Sequence, residues 1–202
     1  MSTAAATAKG AATREAILEH AYAIACLAGL EGLSIGALAQ GVGMSKSGVF
    51  AHFGSREDLQ LAVLDDAARR FVAHVFQPAL SRPRGLARLQ AIVEQWFDWV
   101  RHADDGGCLF LAAVSEYDDR PGPQRDTLLR QDRQWRQALA HAVSLAVDNG
   151  QLLADTDVEQ LAFEIYALPL LVHHDAGLYG YESAVSRGRR AYERLIGTYS
   201  PL

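Results

Sequence analysis

Ser34 to Leu59 reads SIGALAQGVGMSKSGVFAHFGSREDL, and it decides the fold because it breaks into two short helical patterns joined by a sharp turn and locked onto a third. Ser34 and Ser45 stand immediately before the two short patterns, where a hydroxyl can take up one of the unpaired N–H groups of a helix start. Gly43 between them can adopt the positive φ that a tight turn requires. Ala39 lies on the face where the second helix must approach the first, and Leu38, Val42 and Val49 are spaced to fill the small core between them. Ser55, with Asp58 three residues on, has the form of a capping box and starts the third helix. The layout is that of a helix-turn-helix, so the leading expectation is a domain that reads DNA.

The same residues carry a family resemblance. From about Thr13 to Leu64 the chain resembles the DNA-binding domain of the tetracycline-repressor (TetR) family of bacterial transcription regulators. The resemblance rests on Gly32 and Ser34 opening the motif, on Ala39 and Gly43 in helix and turn, on Ser45 starting the recognition helix, and on Phe50 to Phe53 (FAHF) followed by Arg56, Glu57 and Leu59. It implies double-stranded DNA with a palindromic operator as partner. It also implies a small-molecule effector, and a homodimer in which the two C-terminal helices of each subunit form a four-helix bundle.

The DNA-facing set is then Ser34, Ser45, Lys46, Ser47, Gly48, Phe50, His52 and Arg56. Lys46, Ser47 and Gly48 occupy the first turn of the recognition helix, the part that meets base edges in the major groove. Lys46 can donate to guanine O6 and N7 or to a phosphate, and Gly48 lets the backbone come close. His52 and Arg56 are expected at phosphates, Arg56 aided by the positive end of the helix it begins. Phe50 stands where the family usually carries a tyrosine, so a phenolic hydroxyl that could bond a phosphate is missing.

Composition agrees with a soluble globular protein. Half of the 202 residues are apolar, ample for a buried core. The N-terminal MSTAAATAKGAATREA has no apolar segment of the kind a secretory signal needs, and the longest apolar run, Ile165 to Val172, is too short to span a bilayer, so no membrane association and a cytoplasmic location are expected. Cys26 and Cys108 lie far apart with no paired spacing, which implies neither a disulfide framework nor a zinc site. Residues 1–60 hold four cationic side chains (Lys9, Arg14, Lys46, Arg56) against five acidic ones, a net charge of −1, and the remaining residues hold 15 against 19, net −4. Weak electrostatics of this kind predict modest non-specific DNA affinity and reliance on base contacts, helix N-termini and dimerisation.

Periodicity predicts an all-α chain, with an N-terminal three-helix DNA-binding domain and a C-terminal helical ligand-binding and dimerisation domain. Residues 1–12 read as a flexible arm, 13–60 as the DNA-binding domain and 61–202 as the ligand-sensing domain. Helices are expected over about 13–28, 56–76 (stopped by Pro78), 85–102, 108–118 after a break at Gly106 and Gly107, and from the Pro121–Pro123 loop to about Asn149. The last two open at a Thr156/Glu159 capping box and at about Glu182. Leu161, Ile165, Leu168 and Val172 on the first of these, with Ala184, Ala191, Leu195 and Ile196 on the second, permit a dimer face.

Aromatic residues concentrate in the C-terminal part. Trp96, Phe97, Phe110, Trp135 and Tyr166, with His173, are the candidate lining of a pocket for a small hydrophobic or aromatic effector, although the same spacing serves a plain core. Pro169, inside the same helical pattern as His173, would kink it. His173, His174 and Asp175 lack the i, i+3 or i, i+4 spacing that two metal ligands on one helix need, so no metal is expected, and no cofactor motif is present. No nucleophile elbow, P-loop or dinucleotide fingerprint occurs, so an enzyme is not expected. Two alternatives remain beside a repressor. One is a helical small-molecule- or partner-binding protein whose helix-turn-helix does not engage DNA. The other is a redox-sensing regulator acting through Cys108, which stands at a helix start that can lower a thiol pKa.

Overall fold

The structure, a computed structural model, describes residues 2–102 and 107–201. The described residues are helical throughout, with no strand: α1 (Ser2–Ala28), α2 (Ile35–Gly41), α3 (Lys46–Phe53), α4 (Arg56–Phe71), α5 (Leu86–His102), α6 (Leu109–Tyr117), α7 (Pro123–Asp148), α8 (Val158–Tyr179) and α9 (Tyr181–Tyr199). Beyond α4 the chain continues as a π-helical turn, Val72–Phe76, and a 3-10 turn, Pro78–Ser81. Among the described residues no helix is long and apolar enough to cross a membrane.

Two compact units divide the chain. The first combines Met1–Arg69 with Asp105–Arg130, and the second combines Arg70–Asp104 with Gln131–Leu202. This differs from a boundary near residue 60, and the reason is apolar: Leu109, Ala113 and Tyr117 of α6 are buried in one core with Ile17, Leu18, Leu38, Val49 and Leu59. Helical geometry begins at Ser2, where the sequence predicts a flexible arm over 1–12. Alanine, which dominates that segment, has the highest helix propensity of any residue, and a single Gly10 costs only about 1 kcal/mol against it.

In the first unit, α1 ends at Gly29 with φ 73°, and the α2–α3 turn is made by Gly43 with φ 66°. Gly41 allows α1 close to α2, since a Cβ there would run into the His20 ring.

The second unit is built on α5, α8 and α9. Gly188 of α9 packs so tightly that a Cβ would collide with Val172 of α8 and lie 3.0 Å from the Phe97 ring of α5. Phe71 anchors an aromatic cluster, with ring centroids 5.0 Å from Trp96, 5.7 Å from Trp99 and 4.5 Å from Trp135, and Trp96 in turn meets Tyr166 edge-on at 5.2 Å. Edge-to-face packing of this kind adds to the burial of large apolar surfaces. The Tyr166 hydroxyl donates to Asp132 at 2.6 Å, and Arg136 both bonds Asp132 at 2.8 Å and lies 4.0 Å over the Tyr166 ring.

Several local expectations shift. The N-cap of α8 is Asp157, which accepts from the Gln160 N–H at 3.0 Å, while Thr156 bonds back to the Leu153 carbonyl instead of capping. Pro169 is buried within α8, and the helix runs through it. Leu161, Ile165, Val172 and Ala184, spaced for a dimer face, are buried inside the unit. Gly107 has φ 86° ahead of α6, whereas Gly106 lies outside the described residues.

Candidate nucleic-acid interface

Each helix of the motif is started by the hydroxyl the sequence offers. Ser34 Oγ accepts the Ala37 N–H at 3.1 Å, and Ser45 Oγ accepts the Gly48 N–H at 3.1 Å and sits 3.0 Å from Ser47 Oγ. Ser55 Oγ accepts the Asp58 N–H at 3.0 Å and donates to the Asp58 carboxylate at 2.6 Å. These caps fix where α2, α3 and α4 begin, worth about 1 kcal/mol apiece. Val49 and Phe53 of α3 are buried, so the helix is seated by its inner face. Its opposite face and first turn remain outside: Ser45, Lys46, Ser47 and Phe50 are exposed, and His52 and Gly48 are half-buried.

Lys46 folds back over α2, with Nζ 3.5 Å from the position a Cβ on Gly36 would take. The α-carbon of Gly48 faces Met44 and the Ser45 hydroxyl, at 3.2 and 3.3 Å from the Cβ position. A side chain at residue 48 would therefore press first on the turn that precedes the helix.

Arg56 has partners the sequence does not foretell. Its Nε donates to the Leu33 carbonyl at 3.0 Å, and its Nη2 donates to the Glu31 carbonyl at 2.6 Å and to Glu31 Oε2 at 3.0 Å. The guanidinium thus closes the α1–α2 loop onto the start of α4. Arg14 is engaged as well, 4.7 Å over the Phe53 ring.

The same loop is held from α6 and α7. Glu116 Oε2 accepts the Leu30 N–H at 2.9 Å and the Glu31 N–H at 3.4 Å, and a Cβ on Gly29 would run into that carboxylate. The Tyr117 hydroxyl donates to Glu31 Oε1 at 2.9 Å, Arg120 donates to the same oxygen at 3.3 Å, and buried Gln60 joins the Leu30 carbonyl (2.8 Å) to Gln124 (3.1 Å). Hydrogen bonds from Tyr117 and then Arg56 hold the Glu31 carboxyl below its ordinary range. No local motif marks Glu116, Tyr117, Gln60 or Gln124, because each acts on a loop distant in sequence, and Glu31 within that loop finds its partners equally far away.

Burial, and next the hydrogen bond to Glu31, push the Tyr117 hydroxyl from 10.0 up to about 12. A pKa raised on folding means that the native state keeps a proton the unfolded chain has lost. The stabilisation is therefore complete below pH 10.0 and is lost as pH climbs towards 12. Urea unfolding below and within that window should show stability falling with pH, and Tyr117→Phe should flatten the fall. An equally steep fall in the variant would assign the effect to other groups.

The aromatic candidates are divided between the two units. Trp96, Trp135 and Tyr166 belong to the cluster around Phe71, and Phe97 is fully buried against Gly188. Phe110 packs against the core of the first unit, and His173 is half-buried on α8. His174 pairs with Asp175 at 3.2 Å. An open cavity of about 510 Å³ lies elsewhere in the second unit, between the Pro78–Pro83 segment and Ala87, Gln90, Ala91, Glu94 and Gln95 of α5, and none of the six candidates lines it.

A three-helix head that seats one short helix by its apolar face and presents the capped first turn of that helix to solvent is a DNA-binding module of the helix-turn-helix class. Comparison with known proteins agrees. A family model described as bacterial regulatory proteins, tetR family, matches residues 17–63, and one described as tetracyclin repressor-like, C-terminal domain, matches residues 85–192, more than half of the chain. The chain belongs to the TetR family and is a DNA-binding transcription regulator.

Among solved structures it is similar to a TetR transcriptional regulator from Chloroflexus aurantiacus J-10-FL, with 26% identity, 94% of each chain covered and a TM-score of 0.81. It is similar also to SCO4454, a TetR-family transcriptional regulator from Streptomyces coelicolor, at 22% identity, 94% of this chain and 96% of that one, and a TM-score of 0.83. A third is AibR in complex with isovaleryl coenzyme A and operator DNA, at 21% identity, 94% and 98% coverage, and a TM-score of 0.70. No curated protein matches the chain.

Proposed function

We propose that the protein acts as a homodimer on a palindromic operator and represses transcription until a small apolar or aromatic molecule releases it. The observation that carries the DNA contact is the exposed first turn of α3, Ser45 to Ser47, on a helix whose inner face is fixed in the core. Ser34, Gly48, Phe50 and His52 complete the DNA-facing surface. Arg56 contributes mainly by holding the α1–α2 loop. With Arg14 and Arg56 both engaged inside the head, few cations remain for phosphates, so affinity should fall only gently with salt.

Dimerisation is supported by α8. Phe163, Ala167, Leu171 and Leu178 recur at helical spacing on its exposed side, an apolar stripe that a lone subunit would leave in water. To reach successive major grooves, the two recognition helices of such a dimer must lie roughly 34–36 Å apart. An effector that binds one dimer conformation better than the other would shift that spacing, and DNA would weaken effector binding by the same factor. The half-buried His173 and the aromatic surfaces of the second unit supply polar and apolar contacts for such a molecule.

Selection of fragments from a random DNA pool by the purified protein tests the reading. A two-fold symmetric consensus bound by two subunits is the expected result. Recovery of no consensus would favour a binding protein whose helix-turn-helix does not engage DNA.

A further inference from the structure

The two cysteines of the chain are distant in sequence, yet the fold brings their surroundings together inside the first unit. Cys26 lies in the last turn of α1, and Cys108 is the N-cap of the nine-residue α6. Gly107, one peptide unit before Cys108, turns with φ 86°, and the position a Cβ would take on it is 3.6 Å from the Cys26 carbonyl oxygen. The segment leading into Cys108 therefore passes beside residue 26, close enough that a methyl group added at Gly107 would touch the Cys26 carbonyl oxygen. That places the two cysteines in neighbouring segments of one unit.

The direction of the helices agrees. Farther along both, Glu116 bonds the Leu30 N–H, so α6 follows the end of α1 with residue 108 near residue 26 and residue 116 near residue 30. Both residues are half-buried, and Cys26 packs against the core of the first unit. Cys108 stands at the helix end where negative charge is favoured, the setting that suits an attacking sulfur.

We propose that Cys26 and Cys108 are a peroxide-responsive thiol pair whose oxidation ties the end of α1 to the start of α6. The Cys108 thiolate attacks one oxygen of hydrogen peroxide, the O–O bond breaks, and the departing hydroxide takes up the thiol proton and leaves as water, with the sulfur now a sulfenic acid. The Cys26 thiolate then attacks that sulfur, the S–O bond breaks, and a second water leaves as the S–S bond forms. Two thiols lose two electrons, and the peroxide accepts them. The product fixes one end of the seam along which Glu116 and Tyr117 grip the α1–α2 loop.

The test treats the purified full chain with hydrogen peroxide and maps its peptides without reduction. The expected result is one crosslinked species joining the Cys26 and Cys108 peptides within a single chain, with two hydrogens lost and both thiols recovered by dithiothreitol. Cys26→Ser should stop the reaction at a sulfenic acid on Cys108 that dimedone captures, and Cys108→Ser should give no link. Amide exchange at Leu30 and Glu31 should slow by about tenfold on oxidation of the wild type and in neither variant. Thiols that stay free, oxidise independently to sulfinic acids, or link only between chains would overturn the proposal.

Discussion

Leu171→Glu is expected to take the proposed dimer apart while leaving the subunit folded. Leu171 is 60% exposed on α8, in line with Phe163 at 57% and Leu178 at 63%, so a carboxylate there meets water in an isolated subunit and costs it little. In a two-fold interface the same substitution appears on both sides and buries two unpaired charges against apolar surface. Leaving a charge unpaired in such a place costs about 3–5 kcal/mol, which is more than a hundredfold in the dimer dissociation constant. Sedimentation across a concentration series should find the wild type dimeric and the variant monomeric, with helix content by circular dichroism unchanged. Operator binding should fall with it, because a single head reaches one half-site. A variant that dimerises as tightly as the wild type would place the interface off this face of α8.

The residues that decide this prediction illustrate what the sequence makes legible. That α8 and α9 are helices follows from their apolar periodicity, but a helix that is apolar nearly all round does not say which side is the core. Leu161, Ile165 and Val172 are buried, and the residues left outside are Phe163, Leu171 and Leu178. The choice is made by the partner helices, not by α8 itself. The helix-turn-helix is legible for the opposite reason. Its caps at Ser34, Ser45 and Ser55 and its turn at Gly43 act over three or four residues, so their chemistry is complete within the local sequence. Grouping α6 with the head was out of reach, because Glu116 and Tyr117 find their partners some 85 residues earlier in the chain. The aromatic residues were legible as apolar mass only. Phe71, which touches Trp96, Trp99 and Trp135, carries no mark that sets it apart from any other residue of the α4 stripe.

Arg56→Ala and Lys46→Ala should fail in different ways, although both residues are cationic and both belong to the motif. Arg56 gives three hydrogen bonds, to the Leu33 and Glu31 carbonyls and to the Glu31 carboxylate, and it ties the loop before α2 to the start of α4. Truncation leaves two loop carbonyls without this donor and leaves Glu31 to Tyr117 and Arg120. Because the pair is nearly half exposed, its ionic part is screened, and the loss comes mainly from the ordered loop, about 1–3 kcal/mol of stability. The number of phosphate contacts, and so the slope of affinity against salt, should hardly change. Among the described residues Lys46 has no hydrogen-bond partner that its loss would orphan, and it stands exposed in the first turn of α3. Lys46→Ala should therefore keep the melting temperature and cost about 1–3 kcal/mol of binding on the selected operator, with relaxed preference at one base position. Thermal melts of both variants, paired with binding titrations over a salt series, separate the two roles. A stable Arg56→Ala with a salt slope reduced by about one would return Arg56 to the phosphate backbone. A destabilised Lys46→Ala would mean that its fold over Gly36 matters more to the head than its reach towards DNA.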